Sequence, residues 1–490
     1  MEEIPLNRIL RQYKSLSVQV RALFWFLCCS FLQRGITFIT TPVFTRILTT
    51  TEYGKFSVFN SWMQIITPIV SLNLYSGVYS QGVVKFEPDR NRYSSSLQGL
   101  SLTLISAWLI IYLCFYNTLN GVLSISLPQA VAMFIMIWAN GSFTFWSVDQ
   151  RVDFKYRKLV LLTLAVSVIQ PVIGILAVIH SDDKVTARIL SMAAVQVVFY
   201  LGTFVSQVKK GRRIFDKQYW MYALKFNIPL LPHYLSLTLL NSSDRIMISN
   251  MCGNDKAGIY NLAYSVSQIM VMFNTALLQT IEPWIYRKLH DNKAKEIAKV
   301  AYPSFVMIAA VNLILIMFAP EIIAVFAPIE YYEAIRVIPS VAMSVFFVFL
   351  YSFFATFEFY YEKTKYVAAA TVGGAVLNII LNFVFINKLG FVAAGYTTLV
   401  SYMLFAVLHY HFMKKICREQ MNGIQPYRTR IILSISVGCL ALGFSFLLLY
   451  KLPLIRYSLM GLTLIGIVGF NKKLTTMIKS IIALKKDREE

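Results

Sequence analysis

This chain is short of acidic residues, of cysteines in useful spacing, and of any stretch that could fold outside a lipid phase. Of its 490 residues only 24 are Asp or Glu, against 46 Lys and Arg, and charged residues make up 14% of the total. A soluble protein of this length needs far more polar side chains to cover its surface, so that class is excluded. The six cysteines, at 28, 29, 114, 252, 417 and 439, fall in neither a metal-ligand spacing nor a disulfide framework and read as small apolar residues. No GxxxxGK[ST] loop is present, which excludes ATP hydrolysis by that route, and there is no HExxH, CxxC or GxSxG motif. Asp149 with Asp153 and Asp182 with Asp183 are the candidate acid pairs. The first pair lies among Arg151, Lys155, Arg157 and Lys158, as in a solvated loop. No extramembrane segment exceeds roughly twenty residues, which leaves no room for an independent domain. The expectation is therefore a protein that is not an enzyme and holds no cofactor or metal.

What is present is apolar residue in quantity. The chain is 57% hydrophobic with a mean hydropathy of +0.60. Apolar runs long enough to cross a bilayer as helix recur throughout. Fourteen can be placed, near 22–45, 57–80, 95–116, 127–148, 159–180, 188–206, 224–249, 258–282, 300–319, 337–357, 366–386, 392–412, 431–450 and 452–470. Alternate loops, counted with the N-terminus inside, hold 34 of the 46 Lys and Arg, and the opposite set holds 9. That bias places both termini in the cytoplasm. The net charge of +22 then reads as topology and attraction to anionic lipid, with no need of nucleic acid. The N-terminus shows no cleavable signal peptide, and the stretch 283–300 reads as an interfacial helix.

Two segments repeat. TRILTTTEYGKFSVFNSWMQII runs from Thr45 to Ile66 and DRIMISNMCGNDKAGIYNLAYSVSQIM from Asp244 to Met270. Gly54 matches Gly258, 204 residues on, and Phe56 matches Tyr260, Ser61 matches Ser265 and Gln64 matches Gln268. An offset of six spans keeps both copies in one orientation. The expected fold class is an all-α polytopic membrane protein of about fourteen transmembrane helices. Two six-helix lobes would be related by a pseudo-twofold axis along the membrane normal, with two further C-terminal helices. The division is a cytoplasmic segment 1–21, an N-lobe 22–206, a basic inter-lobe loop 207–223, a C-lobe 224–412, a linker with two spans 413–470, and a basic tail 471–490.

The TRILTTTEYGKFSVF stretch, the basic loop before the seventh span, PLLPHYLSLTLLNSSDRIMISNMCGNDKAGIYNLAY, and the Asn- and Gly-rich VAAATVGGAVLNIILNFVFINKLGFVAAGYTTLVSY (367–402) resemble the polysaccharide flippases of the multidrug/oligosaccharidyl-lipid/polysaccharide exporter superfamily. The nearest resemblance is to Wzx-type O-antigen and capsule-repeat flippases. It covers about residues 20–415. It implies movement of an undecaprenyl-pyrophosphate-linked oligosaccharide across the bacterial inner membrane by alternating access, driven by an ion gradient or the membrane potential. Membrane lipids, a polysaccharide polymerase and a chain-length regulator are the implied partners. A drug/cation antiporter and a peptidoglycan-precursor flippase would share this fold, and a polysaccharide polymerase is the rival from a different class.

Flipping an anionic head needs positive charge sheltered from hydrocarbon. Arg34 lies near the middle of the first span with no acid one turn away, where a charge is costly unless it faces water, a partner or a ligand. Arg46 and Arg245 each end the first span of their lobe, and His233 stands as far before Arg245 as Arg34 does before Arg46. Arg34 and His233 are therefore expected at matching depth on a shared cavity; a structural arginine and a hydrogen-bonded helix histidine are the plainer alternatives. Lys225 is a candidate entry-site cation or a snorkelling lysine. Asp244 and Arg245 are candidates for a gate with Arg46, or for a topology anchor or structural ion pair. Glu282, beside Pro283 at the cytoplasmic end of the eighth span, is a candidate coupling carboxylate, with a headgroup-level acid as the simpler account. Glu358, at the cytoplasmic end of the tenth span, reads as a headgroup-level acid.

Overall fold

A computed structural model describes residues 17–469, so the start of the N-terminal segment and the basic tail lie outside the described residues. The described chain is helical and forms two compact units, Met1–Leu235 and Ser236–Glu490.

The first unit opens with α1 (Val18–Ile47), α2 (Thr50–Ser71) and the short α3 (Val78–Lys85). It continues through α4 (Arg90–Cys114), α5 (Tyr116–Leu123), α6 (Leu127–Val152), α7 (Tyr156–Ile179), α8 (Lys184–Gly211) and α9 (Lys217–Asn227). Helix α8 is central: α4, α6 and α7 pack along it, α2 touches it, and α1 lies on α7. Small residues permit this closeness. A Cβ added at Gly211 would fall 2.1 Å from the Asn91 carbonyl oxygen, and one at Gly99 would fall 2.1 Å from that of Ile214.

The seventh span, expected over 224–249, is broken. Pro229 and Pro232 remove two helical N–H donors, and the chain passes through a 3₁₀ turn, Ile228–Leu230, before resuming as α10 (Leu231–Cys252). What precedes the break is α9, a separate helix that belongs to the first unit. Its Trp220 indole donates to the Ser96 carbonyl at 2.9 Å and the Asn227 amide to that of Leu72 at 2.8 Å. The unit boundary accordingly falls inside α10, after Leu235, rather than in the basic loop 207–223.

Asp216 caps α9 by accepting from the Gln218 backbone amide at 3.0 Å, and its other oxygen meets Arg92 at 2.5 Å. Burial raises the carboxyl, but Arg92 and the capping amides outweigh it and hold it below the usual carboxylate range. A depressed folded value means stabilisation that is complete above the unfolded pKa near 4 and lost as pH falls through the folded value. Asp216→Asn keeps the cap and removes the charge. It is expected to cost about 1 kcal/mol at pH 7, since Arg92 is partly solvated, and the deficit should shrink as pH falls below about 4. Thermal unfolding in detergent at the two pH values checks this; a deficit independent of pH would refute it.

The second unit continues α10 and adds α11 (Asn254–His290), α12 (Ile297–Met317), α13 (Ala319–Phe326), α14 (Ile338–Tyr360), α15 (Thr364–Leu389), α16 (Ala393–Gln420), α17 (Thr429–Leu449) and α18 (Pro453–Gly469). Helix α14 is its axis, packed by α16, α11 and α12, while α15 lies on α16 and α17 on α12. That position explains the phenylalanine-rich 346–361 block: Phe346, Phe349, Phe353 and Phe357 are fully buried. They form protein core. The interfacial helix expected over 283–300 is likewise absent. Helix α11 runs through Pro283 to His290, and Ile285, Leu289 and Ile297 are buried.

Nine described helices are long and apolar enough to span a membrane, which makes this a multi-pass membrane protein. Helices α2, α10, α11 and α16 are not among the nine although each has at least 22 residues, because they carry polar and charged side chains into the interior. The repeat survives in three dimensions as helix, tight turn, helix, with Gly54 and Gly258 each the fifth residue of the second helix. Thr49 and Glu52 cap α2 reciprocally, and Gly253 at φ +99° leads into α11.

Candidate functional site

Each unit holds a polar arrangement that its apolar helices would not form without cause. In the first unit, Asn140 on α6 donates to the Gln196 side-chain oxygen on α8 at 2.9 Å, and Gln196 donates to Gln170 on α7 at 3.3 Å. These linked amides line a cavity of about 390 Å³. From α1 the wall is Gln33, Thr37 and Thr40, one face at helical spacing, and α2 adds Asn60. The fourth side is Arg188 on α8, whose guanidinium carbon sits 3.5 Å from the ring centre of Phe56 and 3.7 Å from that of Phe44. Such stacking holds a planar cation in place. Among the described residues, no Asp or Glu lines this cavity.

A second, more open cavity of about 750 Å³ lies where α6, α7 and α8 meet their loops. It is lined by Lys155, Arg157, Lys158 and Lys210 with Trp146. Beside it, Arg90 pairs with Asp149 and Asp153, and Lys155 with Asp153 at 2.8 Å. Burial works against the Asp153 carboxylate, yet Lys155 and Arg90 together hold its pKa below the ordinary range. Asp149 and Asp153 are thus ion-paired scaffold, but Asp149 is not in a solvated loop: it lies within α6, half-buried, and accepts from Gln207 at 2.7 Å and Tyr79 at 3.0 Å.

In the second unit Asp244 is buried at 1% exposure. It accepts from the Tyr260 hydroxyl at 2.7 Å, the Asn382 amide at 2.6 Å and the Thr398 hydroxyl at 3.0 Å, which come from α11, α15 and α16. Asn382 also donates to Asn378 at 3.1 Å and accepts from Thr397. Three donors converging on one carboxylate offset its desolvation and tie four helices together. A second buried pair crosses α14 and α16, with Glu358 Oε1 2.7 Å from His409 Nδ1 and both side chains at most 1% exposed. Tyr351 stacks on the imidazole. Glu358 is therefore not a headgroup-level acid, because the wide faces of α14 and α16 enclose it.

The expected site residues distribute as follows. Arg34 is exposed on α1 and is not among the residues lining the cavity, to which its neighbours Gln33 and Thr37 contribute. His233 is half-buried at the start of α10, and its Nδ1 has no hydrogen-bond partner among the described residues. No contact joins Arg34 and His233 among the described residues. Lys225 is exposed in the last turn of α9. Arg46 and Arg245, equivalent in the repeat, make the same contact. Each donates to the carbonyl four residues back, Pro42 and Asn241 respectively. Arg245 is buried and lies over Tyr264, with 3.8 Å from guanidinium carbon to ring centre. Asp244 and Arg245 are adjacent yet turn to different partners, so they do not form the expected structural ion pair. Glu282 accepts from Tyr286 at 3.1 Å, one turn along α11.

Sequence reasoning overlooked Arg188, which sits at the edge of an apolar run and counts there as a loop charge. Asn378 and Asn382, four apart in a span, were the visible signal for the Asp244 network. The Glu358–His409 pair joins residues 51 apart with no local pattern to show it.

A model described as polysaccharide biosynthesis protein matches residues 20–288, more than half the chain. The chain belongs to that family. A second model, MatE, matches residues 229–384. Among curated relatives, Lsg locus putative protein 1 of Haemophilus influenzae is 21% identical over 70% of this chain and 85% of its own length. The probable low-salt glycan biosynthesis flippase Agl15 of Haloferax volcanii is 23% identical over 77% of this chain and 80% of its own. Among solved structures, the inward-facing form of a MATE-family multidrug resistance transporter of the MOP superfamily aligns with a TM-score of 0.67 at 13% identity, covering 80% of this chain and 96% of that one. The inward closed conformation of the lipid II flippase MurJ aligns with 0.61 at 13% identity, covering 92% and 100%. This family member therefore has the MOP transporter fold, as the sequence resemblance implied.

Proposed function

We propose that this protein is a flippase for lipid-linked glycans, and that its substrate is an undecaprenyl-pyrophosphate-linked oligosaccharide repeat moved across the bacterial inner membrane for O-antigen or capsule synthesis. The observation that carries the reading is the first-unit cavity, where amides, hydroxyls and one arginine face a common space inside a member of a polysaccharide biosynthesis family. Hydroxyl-rich sugars need such partners once water is removed. A drug antiporter pocket is expected to be apolar and aromatic with a carboxylate, and no acid among the described residues lines this one.

With the topology that the basic loops imply, both termini are cytoplasmic and the open cavity of Lys155, Arg157, Lys158 and Lys210 faces the cytoplasm, where a pyrophosphate would arrive. Arg34, Lys225, His233 and Arg245 remain candidates for contact with the lipid head, and Arg46, Asp244 and Glu282 for gating or coupling to an ion gradient or the membrane potential. A polymerase and chain-length regulator would act on the flipped repeat. Deletion of the chain in its own cell is expected to leave single lipid-linked repeats on the cytoplasmic side, with surface polysaccharide reduced at least tenfold. Analysis of extracted lipid-linked oligosaccharide measures this, and normal surface polysaccharide overturns the proposal. Arg34→Ala that supports full transport at normal protein level removes Arg34 from the site.

A further inference from the structure

We infer that the open cavity at the start of α7 binds an anionic phospholipid, its two-phosphate head among the basic residues and an acyl chain along the outer face of α7. The inference goes beyond the flippase reading and does not depend on it. Charge, shape and an exposed helix face carry it.

The charge comes from two helices. Lys155, Arg157 and Lys158 stand where α7 begins, and Lys210 lies in the last turn of α8. Lys155 pairs with Asp153, but Arg157, Lys158 and Lys210 make no ion pair with any described residue. Among the described residues, no Asp or Glu lines the cavity. Cations gathered around one space repel one another until an anion joins them, and about 750 Å³ leaves room for a large one. Gln150 and Ser206 line the same space, make no side-chain hydrogen bond with any described residue, and add neutral donors.

The shape is that of an amphiphile. A second cleft of about 530 Å³ adjoins the cavity, and Tyr156 and Arg157 line both. The rest of the cleft is apolar, formed by Trp25 of α1 with Val160, Leu161 and Leu164 of α7. A free phosphate would use only the first of these two spaces. The apolar lining then continues along α7. Leu161, Val168, Val172 and Ile179 stand at i, i+7, i+11 and i+18, a single stripe at helical spacing, and all four are exposed, Leu161 at 72%. Helix α7 packs on α8 and α1, so this stripe is the face that neither covers. From Leu161 to Val172 it rises about 16 Å, the depth of one leaflet.

The head group follows from the same geometry. The lipid carrier of a glycan would bring phosphate too, but its two phosphates are joined through one oxygen. Phosphates separated by a glycerol reach further, to cations on α7 and on α8, and fill more of the cavity. A cardiolipin-type phospholipid has that head and carries its chains beside it, where the apolar cleft lies. Under the topology that the basic loops imply, the cavity opens at the cytoplasmic leaflet, and basic pockets between helices on that side suit such heads.

The test is native mass spectrometry of the full chain in detergent, titrated with tetraoleoyl cardiolipin or dioleoyl phosphatidylethanolamine. One cardiolipin should bind about tenfold more tightly than phosphatidylethanolamine. Lys158→Gln with Lys210→Gln should weaken cardiolipin binding about tenfold. Lys209→Gln with Lys217→Gln removes the same charge outside the cavity and should change it less than about twofold. All four lysines are exposed, so neither double variant disturbs a core. Equimolar farnesyl pyrophosphate should leave the cardiolipin bound. No preference for cardiolipin, or equal losses in the two double variants, overturns the inference. Displacement by farnesyl pyrophosphate also overturns it and assigns the cavity to the glycan carrier. The assay reads binding and no transport, so a failure here leaves the flippase reading standing.

Discussion

Asp244→Ala is expected to destabilise the second unit by about 3–5 kcal/mol, because it removes the shared acceptor of a buried network and strands the Tyr260, Asn382 and Thr398 donors. Each of those groups comes from a different helix, so the loss loosens four helices at once. Asp244→Asn preserves volume and one acceptor oxygen and should cost less, about 1–3 kcal/mol, since its amide nitrogen must face at least one donor. Thermal unfolding of the purified protein, followed by near-ultraviolet circular dichroism, gives both values. A cost below about 1 kcal/mol for the alanine variant means that the network is not sustaining the unit. Transport should fall with stability in Asp244→Ala. A stable Asp244→Asn that no longer transports would assign the carboxylate to gating or coupling.

Glu358 and His409 should behave as a unit. Removing either partner alone leaves a buried polar group with nothing to bond to, and each single alanine variant is expected to cost about 3–5 kcal/mol. Removing both and filling the space, as in Glu358→Leu with His409→Leu, should cost clearly less than the two single losses added together. A coupling of about 2 kcal/mol or more is expected from the double-mutant cycle. Coupling near zero would show that the 2.7 Å contact contributes nothing to folding. The comparison matters because the pair lies between α14 and α16, which pack along each other at the centre of the second unit.

Much of the fold is legible in one dimension because lipid imposes a simple rule. A helix facing hydrocarbon has to satisfy its own backbone and be apolar, and α1, α4, α6, α7, α8, α12, α14, α15 and α17 obey that rule plainly. The repeat was legible as well, down to Gly54 and Gly258 at the same place in their helices. The seventh span was misjudged at its start because hydropathy does not register two prolines, and the end of α9 is as apolar as the beginning of α10. The stretch 283–300 looked amphipathic in isolation, but its apolar residues are covered by neighbouring helices of the same unit.

The candidate sites were legible only in part, since charge attracts notice and amides do not. Arg34 stands out in the sequence because it interrupts an apolar run, yet the cavity wall on α1 is formed by Gln33 and Thr37 beside it. Arg188 escaped notice because it lies at the end of a span, where arginines are ordinary.

Composition, hydropathy, charge bias and the duplicated segment by themselves determined a polytopic helical membrane protein of repeated halves and excluded phosphate-loop, metal and hydrolase motifs. Those properties are local or summed along the chain, and neighbours in sequence suffice to state them. Tertiary structure alone decided that Asp244 meets Asn382 and Thr398, that Glu358 meets His409, and that Arg188 stacks on Phe44 and Phe56. Each of those contacts joins helices far apart in the chain. Their existence depends on which face each helix turns inward, and small residues such as Gly99 and Gly211 set how closely the helices can approach.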